Sequence, residues 1–364
     1  MDSYKSSRIE WIDLAKGVCI LLVVFHHVTI TSYISQDILL SDFGMFFLRV
    51  HEAIGRYLSP LRMPIFFTLS GFLAYKAVVR NQWKDVFINK ICLLIYLFIL
   101  WGTIQWSLVS LLHMYFSSSM DFSQSNNSLY STSLKGFAVS MIKGSSSLWY
   151  LYALAVYFTL TKLLCKQPQI AMVIMLAMHL VGWLFVGEWP SRSILMNGIY
   201  FSFGCFFGTR IFHFFNSISL NTVVLVSIPF VLVFITKIFG VTVPLFESML
   251  FVFFGAVFFS LLQRKLPLGL LGWIGRNTLQ IYVLHRIFIE VALICLLPSF
   301  ASENSPLQGF SATWWACLYP TLMSIIIVLS SLLVWSITNR GAGRLLYNLP
   351  KSFFKISPRQ SCKV

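Results

Sequence analysis

Apolar residues fall along the chain in long blocks broken by short polar stretches. The blocks lie at about 12–34, 58–79, 91–112, 148–165, 170–186, 194–212, 220–238, 245–262, 277–297 and 314–337. Roughly 20 helical residues cross the hydrocarbon core of a bilayer, and backbone amides in lipid must be paired internally, which favours helix. The pattern predicts an all-α, polytopic integral membrane protein with about ten transmembrane helices. The first block follows Lys5 and Arg8, as a secretory signal would. It has no small-residue cleavage site, however, and it carries Lys16, His26 and His27, so it reads as a retained span. Ten crossings put both termini on one face. That face collects Lys76, Arg80, Lys84 and Lys90 and the basic tail from Arg340 to Lys363, and the excess of Lys and Arg assigns it to the cytoplasm. The connection at about 113–147, with its SSSMDFSQSNNSLYSTS run, reads as a solvated outer loop with little structure of its own. The expected organisation is one membrane domain over residues 1–364, with its core at about 12–337 and a basic cytoplasmic tail over 338–364 resting on anionic membrane lipid.

Composition removes the soluble classes. Of 364 residues, 57% are hydrophobic and 11% charged, where soluble domains carry about 25% charged residues. A soluble enzyme, a disordered chain and a secreted disulfide scaffold are excluded. The net charge of +15 would suggest nucleic acid in a soluble protein. Here the cations gather at the ends of apolar blocks, so the charge is mainly an orientation signal and no nucleic-acid partner is expected. The 7 Cys form no CxxC pair, and no metal-ligand spacing appears.

With so few charges, the ionisable groups inside apolar blocks stand out, because each costs about 2.5–3.5 kcal/mol at the bilayer centre on insertion scales. The first block, WIDLAKGVCILLVVFHHV, holds the sharpest set. Asp13 and Lys16 are placed to pair on one helical face. Lys16 and His27 also share a face, roughly 16 Å apart along the axis. A cation near the inner mouth and an imidazole deep in the membrane suit a long anionic substrate with a reactive far end, the shape of a coenzyme A thioester. The same residues also fit a structural role, with Lys16 snorkelling to the interface and His27 bonded to a neighbouring helix.

The second block contains LRMPIFFTLSGFLAY, where Pro64 frees carbonyls and Ser70-Gly71 permits close helix approach. Glu52 and Arg62 lie towards the outer side, as contacts for a polar acceptor or as an ordinary solvated rim. Lys90 opens the third block and is able to face a phosphate. LWYLYAL sets Trp149 at the outer interface, where aromatic belts are expected. The ninth block offers Tyr282, His285, Arg286 and Glu290, with Arg286 and Glu290 spaced to neutralise each other.

Together, RIEWIDLAKGVCILLVVFHH, RMPIFFTLSGFLAY, LWYLYAL and LGWIGRNTLQIYVLH occur in the order seen in the membrane acyltransferase family 3, and the chain resembles its fucose 4-O-acetylase-like branch. The family's basic-residue-x10-His pattern lands on Lys16 and His27, with Lys where many members have Arg. Its basic pair entering the third span is reduced to Lys90 after Asn89. The resemblance implies a multi-pass enzyme of the bacterial cytoplasmic (inner) membrane. Such an enzyme moves an acetyl group from cytoplasmic acetyl-CoA to a sugar or lipid-linked polysaccharide acceptor, O-antigen among them, with acetyl-CoA as co-substrate and no permanently bound cofactor or metal. On that reading Lys16 and Lys90 hold CoA phosphates, Asp13 orients Lys16, and His27 is the base or acyl carrier. Glu52, Arg62, Ser70, Trp149, Tyr282 and His285 then line the acceptor chamber. The competing class is a transporter or flippase for a lipid-linked sugar, which would also need polar residues within ten spans; the absence of an internal repeat weighs against it.

Overall fold

The computed structural model describes residues 9–32, 42–116, 127–215, 231, 235, 243–265, 269–296 and 310–350. Every regular element among them is helical. In chain order they are α1 (Glu10–Ser32), α2 (Asp42–Tyr57), α3 (Ser59–Tyr75), α4 (Trp83–Phe116), α5 (Leu134–Ile142), α6 (Trp149–Leu163), α7 (Pro168–Leu184), α8 (Ser191–Phe215), α9 (Pro244–Lys265), α10 (Gly269–Arg276), α11 (Thr278–Val291) and α12 (Phe310–Thr338). Among the described residues, five helices are long and apolar enough to cross a membrane: Glu10–Thr31, Trp83–Phe116, Pro244–Lys265, Thr278–Cys295 and Ala312–Thr338. The predicted blocks at 58–79, 148–165, 170–186 and 194–212 also form helices, whereas the block at 220–238 lies almost wholly outside the described residues.

Helix α1 is the axis of the bundle. Trp11, Leu14, Ala15, Cys19, Ile20, Val24 and Val28 are all buried on it, and it packs against α2, α3, α9, α10, α11 and α12. Two glycine crossings set how closely neighbours approach. A Cβ on Gly17 would overlap the Leu271 carbonyl, and one on Gly275 would overlap the Asp13 carbonyl, so α1 and α10 meet backbone to backbone. On the far side, a Cβ on Gly71 would overlap the Phe201 carbonyl and one on Gly204 the Thr68 carbonyl, which brings α3 and α8 equally close. The close approach expected at Ser70-Gly71 is therefore present, and small residues at a helix interface are its physical cause.

Two connections depart from their expected character. Residues 33–57 do not simply link the first two apolar blocks, because α2 lies there with Phe43 and Phe46 exposed and with His51 and Gly55 turned inwards, Gly55 towards His26. The predicted unstructured loop at 113–147 is corrected where it is described. Helix α4 continues to Phe116, a short 3-10 turn forms at Ser128–Tyr130, and α5 follows, capped by Ser133, whose Oγ accepts the Gly136 N–H at 3.1 Å. Its order comes from apolar residues between the serines. Phe137 stacks on Trp106 with ring centroids 4.5 Å apart, and Met141 fills the space over Gly102. The start of the tail is also anchored to the bundle. Trp101 donates to the Leu346 carbonyl at 2.7 Å, and the Tyr347 hydroxyl bonds Thr338 at 2.8 Å.

Candidate functional site

Two cavities open among these helices, one of about 1100 Å³ and one of about 270 Å³. Val23, Met63 and Tyr282 line both, so the two spaces share a wall. Helix α1 runs past each in turn. Lys16, from its first half, lines the smaller cavity, and His26 and His27, from its second half, line the larger. One helical face thus presents an ammonium to one chamber and an imidazole to the next.

The smaller cavity is apolar apart from a few groups. Half-buried Lys16 and exposed Lys90 supply cations, and Ser70 and Tyr150 supply hydroxyls that bond each other at 2.7 Å. Tyr282 closes its inner wall. The Tyr282 hydroxyl donates to the Ser147 carbonyl at 3.0 Å and accepts the Tyr150 N–H at 3.2 Å. Leu148 offers no side-chain cap to α6, so this hydroxyl from α11 satisfies one of the N–H groups that a helix start leaves open. Behind it, Ser147 donates to the Gln105 side-chain oxygen at 2.7 Å, and the Gln105 amide donates to the Val283 carbonyl at 2.9 Å. The shared wall is a closed chain of hydrogen bonds across α4, α6 and α11.

In the larger cavity, His27 is half-buried and its Nδ1 is enclosed by protein, so Nε2 is the ring nitrogen left towards the space. Its ring centroid stands 5.4 Å from that of His285 and 5.6 Å from that of His26. His285 Nδ1 lies 2.7 Å from the Tyr282 carbonyl. A carbonyl only accepts, so Nδ1 carries the hydrogen and the buried Nε2 of His285 is an acceptor beside His27. Next to His285 on α11, Arg286 forms the expected pair with Glu290, one turn further on, at 2.6 Å, both buried. Arg286 also donates to Thr31 Oγ1 at 2.8 Å and to the Tyr130 hydroxyl at 2.5 Å, while Tyr130 donates to Glu290 at 2.7 Å. Burial pushes the Tyr130 hydroxyl well above its ordinary range and the Glu290 carboxylate adds to the effect, against the opposing pull of Arg286. Tyr130 therefore stays protonated and keeps donating.

Of the predicted site residues, His27, Arg62, Trp149 and Tyr282 line the larger cavity, and Lys16, Lys90, Ser70 and again Tyr282 line the smaller. Three lie elsewhere. Glu52 lines neither space and bonds Arg56 at 2.5 Å, which leaves Arg56 as the cavity residue of that pair. His285 is fully buried behind His27 rather than on the wall. Asp13 is buried at the α1–α10 crossing and lines neither cavity. Tyr130, Arg192 and Glu247 join the larger cavity without having been singled out by sequence. Among the described residues, no cluster of His, Cys, Asp and Glu is arranged to hold a metal ion.

A family model described as an acyltransferase domain (Acyl_transf_3) matches residues 9–339. The chain is 30% identical over 346 residues to Inner membrane protein YcfT of Escherichia coli (strain K12), an alignment that covers 93% of this chain and 96% of that protein. No solved structure matches.

Proposed function

The chain belongs to the acyltransferase-3 family of membrane proteins, and on that premise we propose that it O-acetylates a sugar of an envelope polysaccharide such as O-antigen, drawing on cytoplasmic acetyl-CoA from within the bacterial inner membrane. The observation that carries this reading is the pair of cavities meeting at Tyr282, with amines lining one and the two imidazoles the other. A two-substrate transfer needs such a division, because donor and acceptor must reach one point from separate spaces and be held there in near-attack geometry.

In this reading the CoA phosphates rest near Lys16 and Lys90, and the acetyl end reaches past Val23 and Met63 towards His27. His27 Nε2 takes the proton from the acceptor hydroxyl as its oxygen attacks the thioester carbonyl. The C–S bond then breaks, and the CoA thiolate leaves with that proton, returned by the imidazolium. His285, fixed as an acceptor by its bond to the Tyr282 carbonyl, packs its ring behind that of His27, 5.4 Å away between centroids, and so orients it by contact. It is a positioning residue.

The test is His27→Ala at matched membrane levels, with O-acetyl groups on surface polysaccharide measured by NMR. Loss of a general base costs about 10²–10⁴-fold in rate, so acetylation is expected to vanish from the spectrum. Acetylation at the wild-type level removes His27 from the mechanism.

A further inference from the structure

The charge on the larger cavity bears on what its acceptor is, an inference that rests on the acyltransferase reading only for the word acceptor. Four arginines line this cavity: Arg56, Arg62, Arg192 and Arg286. Two are compensated, Arg56 by Glu52 at 2.5 Å and Arg286 by Glu290 at 2.6 Å. The side chains of Arg62 and Arg192 have neither an ion pair nor a hydrogen bond among the described residues. The lining's one carboxylate among those residues, Glu247, is buried and already engaged, accepting the Val243 N–H at 3.2 Å at the start of α9.

Arg62 is half-buried, and a guanidinium partly withdrawn from water with no counter-charge is an expensive feature unless an anion meets it; Arg192, on the same lining, is exposed. Its planar fork matches a carboxylate or a phosphate with two parallel hydrogen bonds. The donor does not require these two arginines, since its phosphates are placed at Lys16 and Lys90 in the other cavity. Around them the lining suits a sugar. Trp149 and Trp189 offer flat apolar faces, and the Asn197 amide, whose nitrogen donates to the Ser193 carbonyl at 2.7 Å, leaves an oxygen for a hydroxyl. A volume of about 1100 Å³ sits at the upper end of ligand pockets and exceeds what one ring needs. We propose that the acceptor is an anionic glycan, bearing a carboxylate or a phosphate, and that Arg62 and Arg192 clamp this group while the sugar lies against the tryptophans.

The test reads binding before chemistry. Full-length protein in nanodiscs is titrated, with tryptophan fluorescence as the readout, using two matched pairs. One pair is an oligosaccharide of glucose and glucuronate and its carboxyl-reduced neutral form; the other is a hexose 1-phosphate and the free hexose. At least one charged ligand is expected to bind about tenfold tighter than its neutral partner, and the preference should shrink as ionic strength rises. The arm that shows it identifies the anion as carboxylate or phosphate. In Arg62→Gln and in Arg192→Gln the preference falls, and in the double variant it disappears while neutral-ligand binding persists, which also reports an intact fold. Arg62→Lys, which keeps the charge and loses the fork, retains part of it. Equal binding of charged and neutral ligands in both arms, or an undiminished preference in the double variant, overturns the proposal. Acetyl transfer is then measured on the same ligands. A preference without any transfer counts against the acyltransferase reading alone, and equal transfer to charged and neutral glycans counts against the anionic acceptor alone.

Discussion

The two cavities share a wall yet are built on opposite principles. The larger is framed by groups whose positions are fixed by one another: Arg286 is held by Glu290, Tyr130 and Thr31, and His285 by the Tyr282 carbonyl. The smaller is a mostly apolar slot whose cations, Lys16 and Lys90, sit on long flexible stems. Fixed geometry is what proton transfer at a hydroxyl demands. Loose point charges are enough for phosphates, which carry negative charge over several oxygens. The difference implies that damage to the larger cavity appears as lost stability or lost rate, and damage to the smaller as a weaker hold on the donor.

The largest structural effect should come from the framed side. Glu290→Gln leaves the Arg286 charge buried without its carboxylate, and breaking such a pair costs about 3–5 kcal/mol. Thermal unfolding of the purified protein in detergent should show a clearly lowered midpoint. An unchanged midpoint means the network does not hold this wall together, and the contrast between the cavities loses its basis.

The shared wall should respond next. In Tyr282→Phe the Ser147 carbonyl loses its donor and the Tyr150 N–H its acceptor, and each unmet buried group costs about 1–3 kcal/mol. Both readouts should move, with a lowered unfolding midpoint and reduced acetyl transfer, because the same hydroxyl seats α6 and borders both spaces. If stability falls while transfer per folded molecule is unchanged, Tyr282 is scaffold and the meeting point lies elsewhere along Val23 and Met63.

These expectations depend on features that sequence showed unequally. Lys16 and His27 were visible because helical periodicity puts them on one face, and the structure lines a separate cavity with each. The Arg286–Glu290 pair was visible for the same local reason, as was the tight approach at Gly71. Tyr130 was not, since 156 residues separate it from Arg286 and its neighbours in sequence are loop-forming serines and asparagines. Arg192 and Glu247 belong to different helices and meet only through the lining of one cavity. Sequence leaves Glu52 open between an acceptor contact and a solvated rim, because α2 is not foreseen; on that helix its i+4 neighbour Arg56 captures it, and it stays on the rim. Periodicity reports which residues share a helix face, and it says nothing of which distant helix that face meets.

On the flexible side the effects should be smaller and confined to the donor. Lys16→Gln removes a half-buried ammonium, and loss of one charge-assisted contact is worth about 1.5–3 kcal/mol, or roughly tenfold or more in affinity. The KM for acetyl-CoA should rise accordingly while kcat and the unfolding midpoint stay near wild type. A fall in kcat with unchanged KM would move Lys16 from holding the donor to the reacting end, and the division between the cavities with it.

Lys90→Gln should give the smallest change of all. Its side chain is exposed on α4, so water and salt already screen it and exposed charge pairs are worth about 0.2–1 kcal/mol. The KM for acetyl-CoA should rise by about five-fold at most, and only at low ionic strength, where screening is weak. The salt dependence is the decisive part. If the increase is as large as for Lys16→Gln and survives at high salt, Lys90 is drawn into a desolvated contact when donor binds, and the slot closes on its ligand instead of merely attracting it. If it fades with salt while the Lys16 effect persists, the two lysines act in sequence along α1 and α4, Lys90 gathering the anion at the surface and Lys16 holding it within.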